Sequence, residues 1–409
     1  MNKLIIIGNG FDLAHGYKTQ YSDFMQWIWS QAIYSNNINN ELIEIHPDVK
    51  KFIDTITKPS DISNWSSFNE IIKNFHFPTT LYGSLPMYEK QNKFLFHNNF
   101  FHSLCVEYPI GLWTDIESHY YKTLLNLVDG KDKYVKSIDE LNENLAVIIK
   151  YFEIYLNDNI NYDNINYSTT NELPFHLVLA YNPKYISRNL NDFDTIKYLN
   201  EFPISEHKYL IEFDNILLNT IDNKFNDVKD KPKTLILDFN YTKTIEKYIS
   251  KLTDIYYIYG EVDHIKIHGE LNNESNPMNL GFGDEMDDKY KILEQLNNNK
   301  HLNYIKSFSY SNNSNYRNLL NWINTNKYQV HLMGHSCGLS DRIMLNTIFE
   351  HTNCKSIKLH YYEWIDNNEN TKDDFTDKVQ NISRHFNKKS LMRDKIVDKS
   401  LSNSLKIFN

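Results

Sequence analysis

The sequence predicts an α/β fold: a mainly parallel sheet interrupted by a large helical insertion. Three observations carry this. Short apolar runs at residues 3–7, 234–237 and 330–333 each end in a glycine or asparagine turn and lead into an amphipathic stretch, the order of a strand–helix unit. Only 12 glycines occur in 409 residues, and three of them, Gly83, Gly111 and Gly130, are all that fall between residues 17 and 259. That Gly-poor middle repeats its apolar residues every three or four positions, the spacing of a helix face.

The elements follow in order. Leu4-Ile5-Ile6-Ile7 is a buried strand that stops at Gly8-Asn9-Gly10, and after Gly16 a helix carries Phe24 and Ile28 on one face beside Trp27. Residues 31–230 read as the inserted helical domain. Leu141, Leu145, Ile148, Ile149, Phe152 and Leu156 form one long stripe there, and residues 209–221 give another. Residues 231–365 return to the sheet. They hold a strand at 234–237, a helix at 242–249, short strands at 256–259 and 265–267, and a strand at 330–333. A helix from 339 to about 351 and a last strand at 357–362 complete this part. The core is thus discontinuous, 1–30 plus 231–365. Residues 366–409 are a C-terminal helix, with Phe375, Val379, Ile382 and Phe386 on one face, and a polar tail expected to fray.

Bulk composition narrows the function. Acidic residues outnumber basic ones, 52 to 43, for a net charge of −9. That balance disfavours a nucleic-acid binder, which needs a cationic face to displace phosphate counterions. Cys105, Cys337 and Cys354 are too few and scattered for a disulfide framework. No apolar run approaches the roughly 18 residues of a membrane span, and the N-terminal run lacks a signal-peptide cleavage pattern. A cytoplasmic protein is expected. The 58 aromatic residues supply a large core and argue against disorder.

Four turns carry the chemistry. Gly8-Asn9-Gly10-Phe11-Asp12-Leu13-Ala14-His15-Gly16 follows a strand, where backbone N–H groups can approach a phosphate. The dinucleotide pattern G-x-G-x-x-G fails, because its third glycine would fall on Leu13. The alternative is a tight strand–helix turn without a ligand. Asp238-Phe239-Asn240-Tyr241-Thr242 ends the next strand, so Asn240 could hold a ribose hydroxyl or a water, or simply cap a helix as Thr242 could. Lys266-Ile267-His268-Gly269-Glu270 offers a histidine able to act as a general base, against the plainer role of a structural hydrogen bonder. Gly334-His335-Ser336-Cys337-Gly338 is either a second phosphate- or ribose-binding turn, with Ser336 and Asp341 as contacts, or the G-x-S-x-G elbow of a serine hydrolase. The elbow would draw on Asp366 and His385 for its triad.

No metal is expected. His335 and Cys337 stand about 18–20 Å from His351 and Cys354 if a helix separates the pairs. The run Asp284, Glu285, Asp287, Asp288 reads as a solvated loop and helix start.

In this order the turns resemble the AbiH family of bacterial abortive-infection proteins, which protect cells against bacteriophage. The resemblance runs from Ile7-Gly8-Asn9-Gly10-Phe11-Asp12-Leu13-Ala14-His15-Gly16 through Leu112-Trp113-Thr114-Asp115-Ile116-Glu117 and Gly281-Phe282-Gly283-Asp284 to the turn at Gly334. The same order is similar to sirtuin-type NAD-binding domains. Gly8, Gly10 and Gly16 match their first turn, with Asp12 in place of Ser. Asn240, Tyr241 and Glu246 match their N-Y-D-x-x-x-E, with Thr242 in place of Asp. Lys266-Ile267-His268-Gly269 matches K-L-H-G, and Gly334 and Ser336 match the late G-x-S.

The two resemblances imply a Rossmann-like, sirtuin-like core and an anti-phage effector that hydrolyses NAD or a related nucleotide at its N-glycosidic bond. Asn240 and His268 are then the catalytic candidates, with Glu117 as a second acid–base group from the insertion. The binding candidates are Gly8, Asn9, Gly10, Phe11, Asp12, Gly16, Tyr241, Gly269, Gly334, His335, Ser336 and Asp341. A nucleotide, a phage-derived trigger and a second copy of the chain are the expected partners, without a membrane. A non-catalytic phage sensor is the other alternative to the serine hydrolase.

Overall fold

The computed structural model describes residues 1–34, 41–45, 50, 94–107, 113–162, 193–221, 232–252 and 261–405. Its centre is a six-stranded sheet built from β1 (Asn2–Ile7), β4 (Lys233–Asp238), β5 (Glu261–Lys266), β6 (Tyr328–Met333), β7 (Cys354–Tyr361) and β10 (Asn403–Ser404). Every pairing is parallel, in the spatial order β10-β7-β6-β1-β4-β5. Counting these strands along the chain turns that order into 6-5-4-1-2-3, the order of dinucleotide-binding Rossmann sheets. The fold is α/β and Rossmann-like, as the strand–helix alternation predicts.

The apolar run of β1 reads through on both faces because both faces are covered. Leu4, Ile5, Ile6 and Ile7 are fully buried. Leu4 and Ile6 pack with Leu319, Leu345, Ile348 and Phe349 on α11 (Asn315–Thr325) and α12 (Arg342–Glu350). Ile5 and Ile7 pack with Phe11 on α1 (Asn9–Ala14) and with Tyr248 on α8 (Glu246–Leu252).

Among its described residues, the part read as an insertion is largely helical. It contains α3 (Asn99–Glu107), α4 (Trp113–Val128), α5 (Ile138–Asn159), α6 (Phe193–Leu199) and α7 (Ile204–Ile221), with an antiparallel pair, β2 (Ile43–Ile45) and β3 (Phe94–Phe96). Its apolar core also takes in α2 (Tyr21–Tyr34) and, from the sheet half of the chain, Leu271, Leu280, Phe282 and Leu293. The predicted stripe is real: Leu141, Leu145, Ile148, Phe152 and Leu156 are buried on α5. Ser137 caps that helix by accepting the Glu140 N–H at 3.2 Å.

Several boundaries differ from the sequence expectation. The helix expected at 242–249 starts at Glu246, because the Thr242 hydroxyl donates to Asp12 and the Thr242 carbonyl accepts from Lys266, which hold the preceding residues in a turn. The strand expected at 265–267 spans 261–266, in continuous register with β4 from Lys233↔Glu261 to Asp238↔Lys266. The strand expected at 256–259 lies outside the described residues.

Among the described residues, the C-terminal stretch forms more secondary structure than its polarity implies. Beyond β7 come a hairpin, β8 (Glu363–Ile365) and β9 (Thr371–Asp373), then α13 (Phe375–Ser383), α14 (Lys389–Lys395) and β10. Val397 donates to the Ile357 carbonyl at 3.0 Å, and the buried Lys395 ammonium to the carbonyls of Phe349 and His351. These are backbone-directed bonds, which leave no apolar signature in sequence. No helix among the described residues is long and apolar enough to cross a membrane.

Candidate functional site

In a sheet of this order a ligand crevice opens beyond the carboxyl ends of the strands, where the direction of winding reverses. Here that point lies between β1 and β6. The turns leaving these strands meet there backbone to backbone. Gly8 N–H donates to the Met333 carbonyl at 3.1 Å, and Gly10 N–H to the Gly334 carbonyl at 2.8 Å. A Cβ on Gly8 would lie 2.6 Å from His335 Cα, and one on Gly10 2.8 Å from Gly334 Cα. Gly334 has φ +73°, and a Cβ there would come within 2.1 Å of the Phe11 nitrogen. The space these three glycines leave is therefore taken by one another's backbone. Gly16 also has positive φ, +78°, but stands in open space and closes the turn after α1.

Five buried side chains converge at the same end of the sheet. Asp341 closes a short 3-10 turn, Leu339–Asp341, after β6. Its Oδ1 lies 2.9 Å from Lys306 Nζ and 3.0 Å from His268 Nε2, and its Oδ2 3.7 Å from His335 Nε2. Lys306 also holds Glu117 Oε1 at 2.7 Å. All five are nearly sealed from solvent, Lys306 at 1% exposure. Phe239 stands between the two imidazoles, its ring centre 4.6 Å from that of His268 and 4.3 Å from that of His335, edge-on to both.

The electrostatics follow from burial and pairing. Burial pushes the Asp341 carboxyl up, but the Lys306 ammonium, with the His268 ring beside it, outweighs burial and holds the group well below its ordinary value. Burial opposes the Lys306 ammonium, and Asp341 and Glu117 more than restore it. Burial lowers His335 to about 3, so its ring is neutral. Its Nδ1 accepts the Cys337 N–H at 3.0 Å, which places the ring proton on Nε2, facing Asp341. The His268 approach to Asp341 is close, at 3.0 Å, yet not aligned as a hydrogen bond.

The roof of this cluster comes from α4. Helix α4, which carries Glu117, packs on the Leu339–Asp341 turn. Tyr121 of α4 stacks on Phe282 with ring centres 4.2 Å apart and planes within 7°. The Gly281 N–H donates to Glu117 Oε1 at 3.4 Å.

The remaining candidates sit around this cluster. Asn240 Nδ2 donates to the Gly8 carbonyl at 3.1 Å, tying the β4 turn to the β1 turn. Asp12 is buried and accepts the Thr242 hydroxyl at 2.6 Å, while burial raises its carboxyl to about 7. Phe11 packs against His15 and Tyr248, and Asn9 opens α1 half-buried. The Tyr241 hydroxyl reaches the Asn279 carbonyl at 3.4 Å, and its ring meets Phe152 of α5 edge-on. Gly269, at φ +94°, lets the following loop fold back so that Asn279 N–H reaches the His268 carbonyl at 2.7 Å. The structure thus brings Glu117, His268, His335 and Asp341 together. Asn240 and Asp12 lie on the neighbouring β1–β4 turns, and Gly16 stands apart.

The family model described as "Bacteriophage abortive infection AbiH" matches residues 4–364. The chain belongs to the AbiH family. No curated protein matches it. AbiH membership supports an anti-phage, abortive-infection role, and the matched span contains the whole cluster.

Lys306 was not legible as a site residue of this AbiH chain. It follows Tyr304 and Ile305 in a segment with no motif, and it enters the cluster because Phe282 and Tyr304–Lys306 pair through the backbone. Phe239 was passed over between two polar neighbours. Arg342, which holds buried Asp284 at 3.1 Å, was also missed, so Asp284 is an ion-pair partner rather than part of a solvated loop. In the Gly334 turn the non-glycine residue with positive φ is Cys337, +54°, not Ser336. His385 Nε2 bonds the Cys337 carbonyl at 2.8 Å, and Asp366 accepts Asn368 and Asn370 N–H groups in the exposed β8–β9 hairpin.

Proposed function

We propose that this AbiH chain is an abortive-infection effector that binds a nucleotide beside the β1/β6 switch point and hydrolyses its N-glycosidic bond, with NAD or a close relative as substrate. The observation that carries the reading is the His268–Asp341 contact at the carboxyl end of a sheet wound 3-2-1-4-5-6. An imidazole beside a carboxylate in a water-poor site is a competent general base.

In this reading a water adds to the anomeric carbon as the carbon–nitrogen bond breaks, and the base departs with the bonding electron pair. His268 takes the water's proton and later releases it to solvent, while Asp341 stabilises the imidazolium. Lys306 holds Asp341 ionised, so that its carboxylate faces the developing ribosyl cation. Asn240, anchored by its amide nitrogen on Gly8, orients the ribose or the attacking water through its carboxamide oxygen. Because α4 and the Leu339–Asp341 turn cover the cluster, substrate reaches it only when the two separate.

The test is NAD concentration in phage-exposed cells expressing wild type or His268→Ala, with purified protein incubated with NAD, NADP and ATP and the products mass-analysed. The reading expects NAD to fall with the wild type alone and free nicotinamide to accumulate. Protection with unchanged NAD in both strains would replace the enzyme with a non-catalytic sensor.

A further inference from the structure

Apart from the switch point, an open cleft of about 510 Å³ runs along the edge strand β5, lined by Glu246, His264, Lys266, Glu270 and an asparagine-rich wall. Its floor is a buried ion-pair system. Asp238, 1% exposed, lies 3.3 Å from both His264 Nε2 and Lys266 Nζ, and Glu246 Oε1 is 3.8 Å from the same ammonium. His264 keeps a fifth of its side chain exposed to the cleft.

Each asparagine of the wall makes a hydrogen bond within the protein. The amide nitrogens of Asn276 and Asn315 donate to the Lys266 carbonyl, that of Asn313 to Asn276, and that of Asn273 to Glu270. The Ser275 hydroxyl donates to Asn273. Lys266 donates to the Thr242 carbonyl and Asp238. Asp238 and Lys266 cancel in charge, which leaves the carboxylates of Glu246 and Glu270 as the net charge on the wall. A cleft whose uncompensated charge is negative repels phosphates and carboxylates and attracts cations that bring their own donors to its carboxylates.

We propose that the β5-edge cleft is a binding site for an organic cation bearing hydrogen-bond donors, held by Glu246 and Glu270 with His264 at its inner end. Two sources share that chemistry: a polyamine, and the N-ribosylpyridinium end of an oxidised nicotinamide nucleotide. The inference does not rest on the nucleotide-hydrolysis reading, because it concerns different side chains on the other side of β4.

Full-length protein is titrated by calorimetry with spermidine, nicotinamide riboside, ADP-ribose and ribose, and the titrations are repeated on Glu246→Gln/Glu270→Gln and on Asp263→Asn, a residue on the opposite face of β5. Spermidine, nicotinamide riboside or both should bind, with affinity falling as salt is raised. The double variant should weaken that binding by about tenfold or more, while Asp263→Asn and the thermal midpoint of the double variant stay near wild type. Whichever cation binds names the source. The proposal is overturned if neither cation binds, if binding survives the double variant, or if ribose or ADP-ribose binds as well as the cations do.

Discussion

Lys306 and Asp341 meet at 2.9 Å in the interior, the lysine from a four-residue helix and the aspartate from the turn after β6. The same ammonium holds Glu117 at 2.7 Å. One cation thus joins the sheet, the loop after β5 and helix α4. Removing one partner from such a triad leaves charge buried without compensation, which costs far more than the pair contributes.

Lys306→Met therefore strands two buried carboxylates. The expected loss is about 3–5 kcal/mol of unfolding free energy, measured by urea denaturation at neutral pH. The triple variant Glu117→Gln/Lys306→Met/Asp341→Asn removes the charges together and should recover most of that loss. Equal destabilisation of the two variants would show that packing of the lysine stem, not charge, sets the cost.

Two glycines with similar φ separate close approach from backbone conformation. Gly334→Ala places a Cβ 2.1 Å from the Phe11 nitrogen, where backbone must move. Gly16→Ala meets nothing within 4 Å and bears only the left-handed backbone penalty, about 1 kcal/mol. The Gly16 variant should fold with a modestly lower thermal midpoint, and the Gly334 variant should lose soluble expression or melt far below it. Comparable midpoints would refute the tight packing of the β1 and β6 turns.

How much of this was legible follows from what each feature depends on. The strands at Leu4 to Ile7 and at Val330 were readable because a strand covered on both faces must be apolar throughout. His268, His335, Asp341 and Glu117 could be singled out because three flank strand-end turns and the fourth lies in a recognisable helix segment. Their convergence could not be read, since it depends on how α4 returns over the sheet. Lys306 left no trace because a lysine between Ile305 and Ser307 looks in sequence like any helix-surface lysine. The glycines were legible as sites of close approach, but which backbone approaches which is a tertiary fact: Gly8 meets His335, Gly281 meets Tyr304 and Gly283 meets Ser340. β10 escaped notice because a two-residue strand at a sheet edge needs only backbone.

Asp12 should make stability fall with rising pH. Burial raises its carboxyl from 3.8 to about 7 in the folded protein, so the native state holds the proton more tightly than the unfolded chain. That contribution is fully present below about pH 4 and is lost as pH rises through 7, an effect of about 4 kcal/mol. Asp12→Asn keeps the acceptor for Thr242 and cannot ionise. The unfolding free energy of the wild type relative to Asp12→Asn should drop steadily between those limits, and a flat difference would place the carboxyl at its ordinary value.

His335 has the opposite sign. Burial lowers it from 6.5 to about 3, so the folded state resists a proton that the unfolded state accepts. Its contribution is complete above pH 6.5 and is lost as pH falls towards 3. His335→Gln retains an acceptor for the Cys337 N–H and should lessen acid denaturation across that window relative to wild type, read by circular dichroism at fixed temperature. Identical acid transitions would argue that the imidazole is hydrated.

The Gly334-His335-Ser336-Cys337-Gly338 turn should not behave as a nucleophile elbow. An activated serine needs an imidazole within hydrogen-bond reach of its hydroxyl and a carboxylate behind that imidazole. His385 is the histidine that reaches this turn from α13's C-terminal side, but its Nε2 is bonded to the Cys337 carbonyl, and Asp366 is committed to the β8–β9 hairpin. The Ser336 carbonyl is held by Asn381 at 3.0 Å, which fixes the turn in this orientation. A fluorophosphonate probe should therefore leave the wild type unlabelled, and Ser336→Ala should protect cells from phage as well as the wild type does. Labelling that disappears in Ser336→Ala would overturn this and move the catalytic centre from His268 to the elbow.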